Sequence, residues 1–221
     1  MKKIALLSAN LGSYDPHFDW AEQKVPEGCE LTVHRFTDAS LPPRPKAMTA
    51  RMLPGVAKMF GWQLLPGHDV YIWVDASRTL VRSDFVCWML DQLGFSEMAL
   101  FKHPERGSVY EEYLFVKEKM EHGSRYLKSR YDGEWLDEQI DVIRADLRFR
   151  DRALYASTAF AYYPTVPVRA ALTEWWHHKT RYLLHDQLAL PYVVWRHGVR
   201  VSVIAENIYK LPFWEYTRKG R

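Results

Sequence analysis

Strands interleaved with helices along the whole chain predict an α/β protein, a mostly parallel central sheet flanked by helices. Three observations carry that prediction. The chain opens on a compact apolar run, Lys3 to Ala9, which gives way to the turn-forming Asn10-Leu11-Gly12-Ser13-Tyr14-Asp15, as a buried strand and its following loop do. A second run, Gly67 to Ser77, is rich in β-branched and aromatic residues and stops abruptly in Asp75-Ala76-Ser77. Between and beyond these runs, apolar residues recur at the spacing of one helix face. With 221 residues the chain is near the upper end of what a single core holds, so one domain over 1–221 is expected.

The elements follow in order. Glu30 to Phe36 alternates well enough for a second strand. Leu41-Pro42-Pro43-Arg44-Pro45 must then be an extended connection, because proline fits neither a sheet ladder nor a helix interior. Lys46 to Leu65 carries Met48, Met52, Val56, Met59, Phe60 and Gln63 at helical spacing, and Pro54-Gly55 divides it into two short helices. Ser83-Asp84 caps a helix that ends at Gly94, and Met98 to Phe101 is a strand. Tyr110 to His122 and Glu134 to Ala145 are helical in period, with a loop around Tyr131-Asp132-Gly133 between them. Ala153 to Tyr163 is a strand. Pro164-Thr165-Val166-Pro167 opens a helix with Val168, Leu172, Trp175 and Trp176 on one face. Asp186 to His197 is a further helix closed by Gly198, and Val199, Val201 and Val203 alternate as a last strand.

Composition narrows the function classes. Hydrophobic residues at 48% and charged residues at 26% are ordinary globular usage. Nine Trp and thirteen Tyr are an excess that fits thick packing or a cleft that stacks on rings. A net charge of +3 is too small to argue for nucleic acid by itself, and the clusters Arg144, Arg148, Arg150, Arg152 and Arg218, Lys219, Arg221 read first as solvated faces. Cys29 and Cys87 are too few for a disulfide framework and lack metal-ligand spacing. The apolar run after Met1-Lys2-Lys3 is too short for a signal peptide, and no stretch approaches the roughly 20 apolar residues of a membrane span. A cytoplasmic location is the expectation. No GxxxxGK[ST], GxSxG, HExxH or paired CxxC pattern occurs, which sets aside several common enzyme classes.

Asp75 is the first candidate for chemistry. A carboxylate that ends a buried strand, with the Ser77 hydroxyl two residues on, can hold a divalent cation beside phosphates. It can equally cap the turn that follows, and both readings are open on position alone.

Three stretches in order, Tyr71-Ile-Trp-Val-Asp-Ala-Ser77, His103-Pro-Glu-Arg106 with Tyr110-Glu111, and His185-Asp-Gln-Leu-Ala-Leu-Pro191 with Val194-Trp195, resemble the DUF616 family of glycosyltransferase-like proteins over roughly residues 46 to 198. The resemblance implies a GT-A (Rossmann-like) glycosyltransferase architecture, a nucleotide-sugar donor such as a UDP-sugar, and Asp75 at the place of the acidic metal motif. Mn²⁺ or Mg²⁺ would then be held by Asp75 and Ser77. The sequence departs from the usual Asp-X-Asp at Ser77, a poorer ligand than a carboxylate. Without a metal, the diphosphate would need basic side chains, and Lys46, Arg51, Lys58 and Arg78 are the nearby candidates. Asp186-Gln187 resembles the acidic-Gln pair that retaining GT-A transferases set beside the sugar, and Asp186 also fits a helix N-cap.

Further positions complete the expected site. Asn10, Tyr14 and Asp15, in the loop after the first strand, are placed to meet the nucleoside. His103, Arg106 and Glu111 or Glu112 could reach acceptor hydroxyls or phosphate, and His185 and His197 are further phosphate or metal candidates. The acceptor would be a glycan, with a hydroxylated base in DNA also open. Two other classes stay open: a glycoside hydrolase using carboxylates among Glu111, Glu112, Asp137 and Glu138, and a nucleic-acid-binding module using Arg144 to Arg152.

Overall fold

The computed structural model describes residues 1–12, 19–42, 44, 48–49 and 51–217. The strands are β1 (Lys2–Ala9), β2 (Cys29–Phe36), β3 (Val70–Val74), β4 (Arg78–Leu80), β5 (Met98–Lys102), β6 (Tyr155–Tyr162), β7 (Val201–Ile204) and β8 (Trp214–Tyr216). The helices are α1 (Leu53–Leu64), α2 (Phe85–Leu93), α3 (Val109–His122), α4 (Arg125–Tyr131), α5 (Leu136–Ala145), α6 (Val166–Arg181) and α7 (Asp186–Arg196). Six strands form one sheet in the order β2-β1-β3-β6-β5-β7. β1 pairs in parallel with β2 and β3, β5 pairs in parallel with β7, and β6 runs antiparallel to both of its neighbours.

The sheet is mostly parallel and buried on both faces, and that explains the unbroken apolar runs of β1 and β3. Along β1, Ala5, Leu7 and Ala9 join one core and Ile4 and Leu6 the other; along β3, Tyr71 and Trp73 divide in the same way from Val70, Ile72 and Val74. Residues of α1, α6 and α7, with α3 to α5 outside them, fill the first face. The second is covered by α2 and by a two-stranded ribbon of β4 and β8, where Phe85 meets Phe213 and Trp214. Gly61 lets α1 lie close on β1, since a Cβ there would run into the Leu7 side chain.

The structure corrects three expectations and adds one pair of strands. Pro54-Gly55 starts α1 rather than dividing it, because proline is tolerated in the first turn, and the irregularity comes later, at Phe60 (φ −118°, ψ 20°). The stretch before Tyr131 is the helix α4, capped by Ser124, whose hydroxyl accepts from the Leu127 N–H. The β4–β8 ribbon is too short to carry a periodic signal. Asp84 sits at the N-cap of α2 but makes no cap bond, its carboxylate being drawn to Arg82. No described helix is long and apolar enough to cross a membrane.

Candidate active site

A cavity of about 390 Å³ opens where β1 and β3 end, the edge at which open α/β sheets take ligands and a size that suits a small molecule. Its floor is the loop Asn10-Leu11-Gly12 after β1 and the segment Asp75-Ala76-Ser77 after β3, and its walls come from α1, α4, α6 and the start of α7. The basic side chains Arg51, Lys58, Arg130 and Lys179 line it together with the carboxylates of Asp75 and Asp186.

Lys58 is the centre of this group. It projects from α1 with its side chain 4% exposed, and its ammonium donates to Asp186 Oδ2 at 2.8 Å, Asp75 Oδ1 at 3.3 Å and Ser157 Oγ at 3.3 Å. The rings of Trp73 and Trp175 lie 5.9 and 5.7 Å from Nζ, at the outer range of a cation–π contact. Lys179 of α6 is bound to the other oxygen of Asp186. The indole N–H of Trp73 donates to Asp75 Oδ1 at 2.7 Å, and that of Trp175 to the Asp186 carbonyl at 2.9 Å. The second oxygen of Asp75 takes no hydrogen bond from the described residues.

Local backbone features bring these groups together. The β5–β6 register shifts between Leu100 and Phe101, so the chain around Ser157 leaves the ladder and turns Ser157 toward Lys58 and Asp186, a bulge beside a site. The Thr158 carbonyl, in the same stretch, accepts from the Asp75 N–H at 2.8 Å. A Cβ on Gly55 would lie 2.9 Å from Lys179 Cε and 3.0 Å from Trp176 Cζ3, so glycine is what allows α6 to lay Lys179 against α1.

Charge follows geometry. Burial opposes a charge on Lys58, but Asp186 and Asp75 outweigh it and raise its pKa. Burial likewise works to raise the Asp186 carboxyl, and Lys179 and Lys58 overcome it and hold Asp186 far below the usual carboxylate range. At Lys179 burial prevails over Asp186, and the pKa is lowered. Asp186 is therefore held ionised and is not the helix N-cap, which is His185, and lies instead in the first turn of α7, where the helix dipole favours a negative charge.

The expected donor residues Asn10, Arg51, Lys58, Asp75 and Ser77 and the expected catalytic residue Asp186 thus meet in one cavity. Tyr14, Asp15 and Lys46 lie outside the described residues, as do Arg218, Lys219 and Arg221. Gln187 is half-buried and is not among the cavity's lining. Arg78 is not on the cavity either: its guanidinium is buried, lies 3.8 Å from the Tyr216 ring centroid and donates to Ser77 Oγ at 3.1 Å.

His103, Arg106 and Glu111 also stay off the cavity wall. His103 is buried, and its Nδ1 accepts from the backbone N–H groups of Glu105 and Arg106; burial lowers its pKa against the pull of Glu112. Arg106 lies over the Phe115 ring and is bound to Glu112. Glu111 caps its own helix, accepting from Gly107 N–H at 2.6 Å while its N–H donates to Ser108. Glu112, 2% exposed, takes His185 Nε2 at 2.7 Å. His197 pairs with Glu174 at 2.6 Å.

The carboxylates weighed for hydrolysis are likewise engaged elsewhere, Asp137 by Lys117 and Tyr113 and Glu138 by Arg181. In the basic stretch, Arg148 pairs with Asp146, Arg150 donates to the Leu147 carbonyl, and Arg144 lies over Tyr110. Sequence reasoning missed Arg130, Ser157 and Lys179. A signal existed for Lys179, which continues the apolar stripe Val168, Leu172, Trp175 of α6.

A divalent ion held by Asp75 and Ser77 fits this donor set poorly. Such an ion takes about six oxygen ligands. Asp75 Oδ1 is occupied by Trp73 and Lys58, Ser77 Oγ accepts from Arg78, and both oxygens of Asp186 hold ammonium groups. No group of three or more His, Cys, Asp or Glu side chains suited to a metal occurs among the described residues.

No protein-family model matches the chain, and no curated protein sequence matches it. Its resemblance to the DUF616 family therefore rests on the three motifs alone. Among solved structures it is similar to the apo form of WbbM, a bifunctional glycosyltransferase, at 12% identity and a TM-score of 0.47, over 92% of this chain and 39% of that one. The chain thus spans well under half the length of that neighbour.

Proposed function

We propose that the chain is a glycosyltransferase that binds a nucleotide sugar in this cavity and passes the sugar to an acceptor hydroxyl. One observation carries the reading: a single cavity at the carboxyl ends of β1 and β3 gathers Arg51, Lys58, Arg130 and Lys179 around Asp75 and Asp186. A basic space with carboxylates inside it suits a ligand that is a diphosphate in the middle and carries hydroxyls at its ends.

In the proposed reaction the acceptor oxygen bonds to the anomeric carbon as the bond from that carbon to the phosphate oxygen breaks. The electron pair leaves with the nucleoside diphosphate, the hydroxyl proton is lost to water, and the cations stabilise the charge growing on the leaving group. Asp186, held ionised between two ammonium groups, is a weak base. Its part is electrostatic, facing the positive charge that develops on the sugar ring. The Asp75 oxygen that takes no hydrogen bond from the described residues is available to a donor hydroxyl.

The test is turnover of UDP-, GDP- and CDP-sugars with glycan and hydroxymethylated-DNA acceptors, read as released nucleoside diphosphate. One donor is expected to turn over, and Asp186→Asn to lose about 100-fold or more. Turnover of none of them, with none bound, overturns the reading, and an unchanged rate in Asp186→Asn removes Asp186 from it.

A further inference from the structure

We propose that Lys58 is the resident cation of this site, and that the cavity binds a diphosphate without a divalent metal ion. The inference rests on the donor-site reading and goes beyond it, naming what does the work usually assigned to a metal. An ammonium group has three donors, and Lys58 Nζ has three oxygen partners, Asp186 Oδ2, Asp75 Oδ1 and Ser157 Oγ, within 3.3 Å. It therefore lies between the two aspartate carboxylates with all three of its donors engaged.

The charge count points the same way. Among the described residues, four basic and two acidic side chains line the cavity, a surplus of two positive charges. The diphosphate of a nucleotide sugar is a double ester with about one negative charge per phosphate. The described lining therefore neutralises it without help, and a divalent ion added to it would leave a surplus of two positive charges. With Lys58 saturated by its oxygens, the groups that meet the phosphates are Arg51, Arg130 and Lys179, and Lys58 acts through its field.

The experiment is calorimetric titration of the wild-type protein with inorganic pyrophosphate in EDTA, beside Mn²⁺ binding followed by electron paramagnetic resonance. Pyrophosphate is expected to bind in EDTA, about tenfold more weakly in Arg51→Gln and in Arg130→Gln, and Mn²⁺ alone to stay free. These variants leave the lysine–aspartate cluster intact, so the test does not depend on a Lys58 variant that strands two carboxylates and could fail to fold. Pyrophosphate that binds only after Mn²⁺ is added, or stoichiometric Mn²⁺ lost in Asp75→Asn, overturns the proposal, as does the absence of any pyrophosphate binding in EDTA. Binding of pyrophosphate in EDTA with no binding of any nucleoside diphosphate supports the metal-free clamp and removes the nucleotide-sugar reading.

Discussion

Two polar clusters meet at the start of α7, one on each side of the peptide between His185 and Asp186. In the first, His185, Glu112, Arg106 and Tyr131 satisfy one another: Glu112 takes Arg106 and His185, and the Tyr131 hydroxyl lies 2.8 Å from His185 Nδ1. None of the four lines the cavity. In the second, Asp186 and Asp75 are matched by Lys58 and Lys179, but Arg51 and Arg130 stand on the same walls and one oxygen of Asp75 takes no hydrogen bond from the described residues. The residue types are similar and the roles differ. A cluster whose charges close on themselves holds the fold in register, whereas one with a surplus facing a cavity has something left to give a ligand.

The largest effect that tests this contrast is on stability. Glu112→Ala strands Arg106 and His185 in a buried setting and is expected to cost about 3–5 kcal/mol in urea unfolding, while the folded protein keeps its pyrophosphate affinity within about twofold. Loss of affinity without loss of stability would make the two clusters one.

Acid sharpens the same point. Burial alone would raise the Glu112 carboxyl, but His185 and Arg106 bring it down to about 2. A folded value below the unfolded one gives stability that is complete above the unfolded pKa and is lost as pH falls toward the folded one. Between pH about 4.5 and about 2 the protein is expected to lose roughly 3 kcal/mol on this account, a loss absent from Glu112→Gln. His178, pushed down to about 4 by burial, adds an earlier decline from pH about 6.5 to about 4 in both proteins. Equal acid slopes in the two proteins below pH 4 would contradict the closed-cluster picture.

Smaller effects probe the open cluster. Gly55→Ala crowds Lys179 and Trp176 and is expected to cost about 1–3 kcal/mol and to weaken pyrophosphate binding, because Lys179 must move. Arg51→Gln, on an exposed side chain, should change stability by less than about 0.5 kcal/mol while still lowering affinity. A variant that loses stability and not affinity would place Arg51 in the scaffold.

Much of this architecture is legible in the sequence, for physical reasons that also mark the limits. Strands β1 and β3 announce themselves because both faces are buried, and Asp75 stands out because it ends such a run. Asp186 was visible by resemblance, but its placement in the first turn rather than at the cap was not. The direction of β6 is invisible, since an apolar strand reads alike in either sense. Ser157 reaches the site through a register shift that no local pattern encodes, and Arg130 sits on α4, whose seven residues are too few for a period. Lys58 is one of four candidate cations in the sequence, and its three oxygen partners single it out.

The central claim is that this cavity is a donor site, and titration of the wild type and Arg130→Gln with a panel of nucleotide sugars and their nucleoside diphosphates tests it most directly. One nucleotide is expected to bind more tightly than pyrophosphate, and Arg130→Gln to weaken it about tenfold. Binding of none of the panel, or equal affinity in the two proteins, would contradict it.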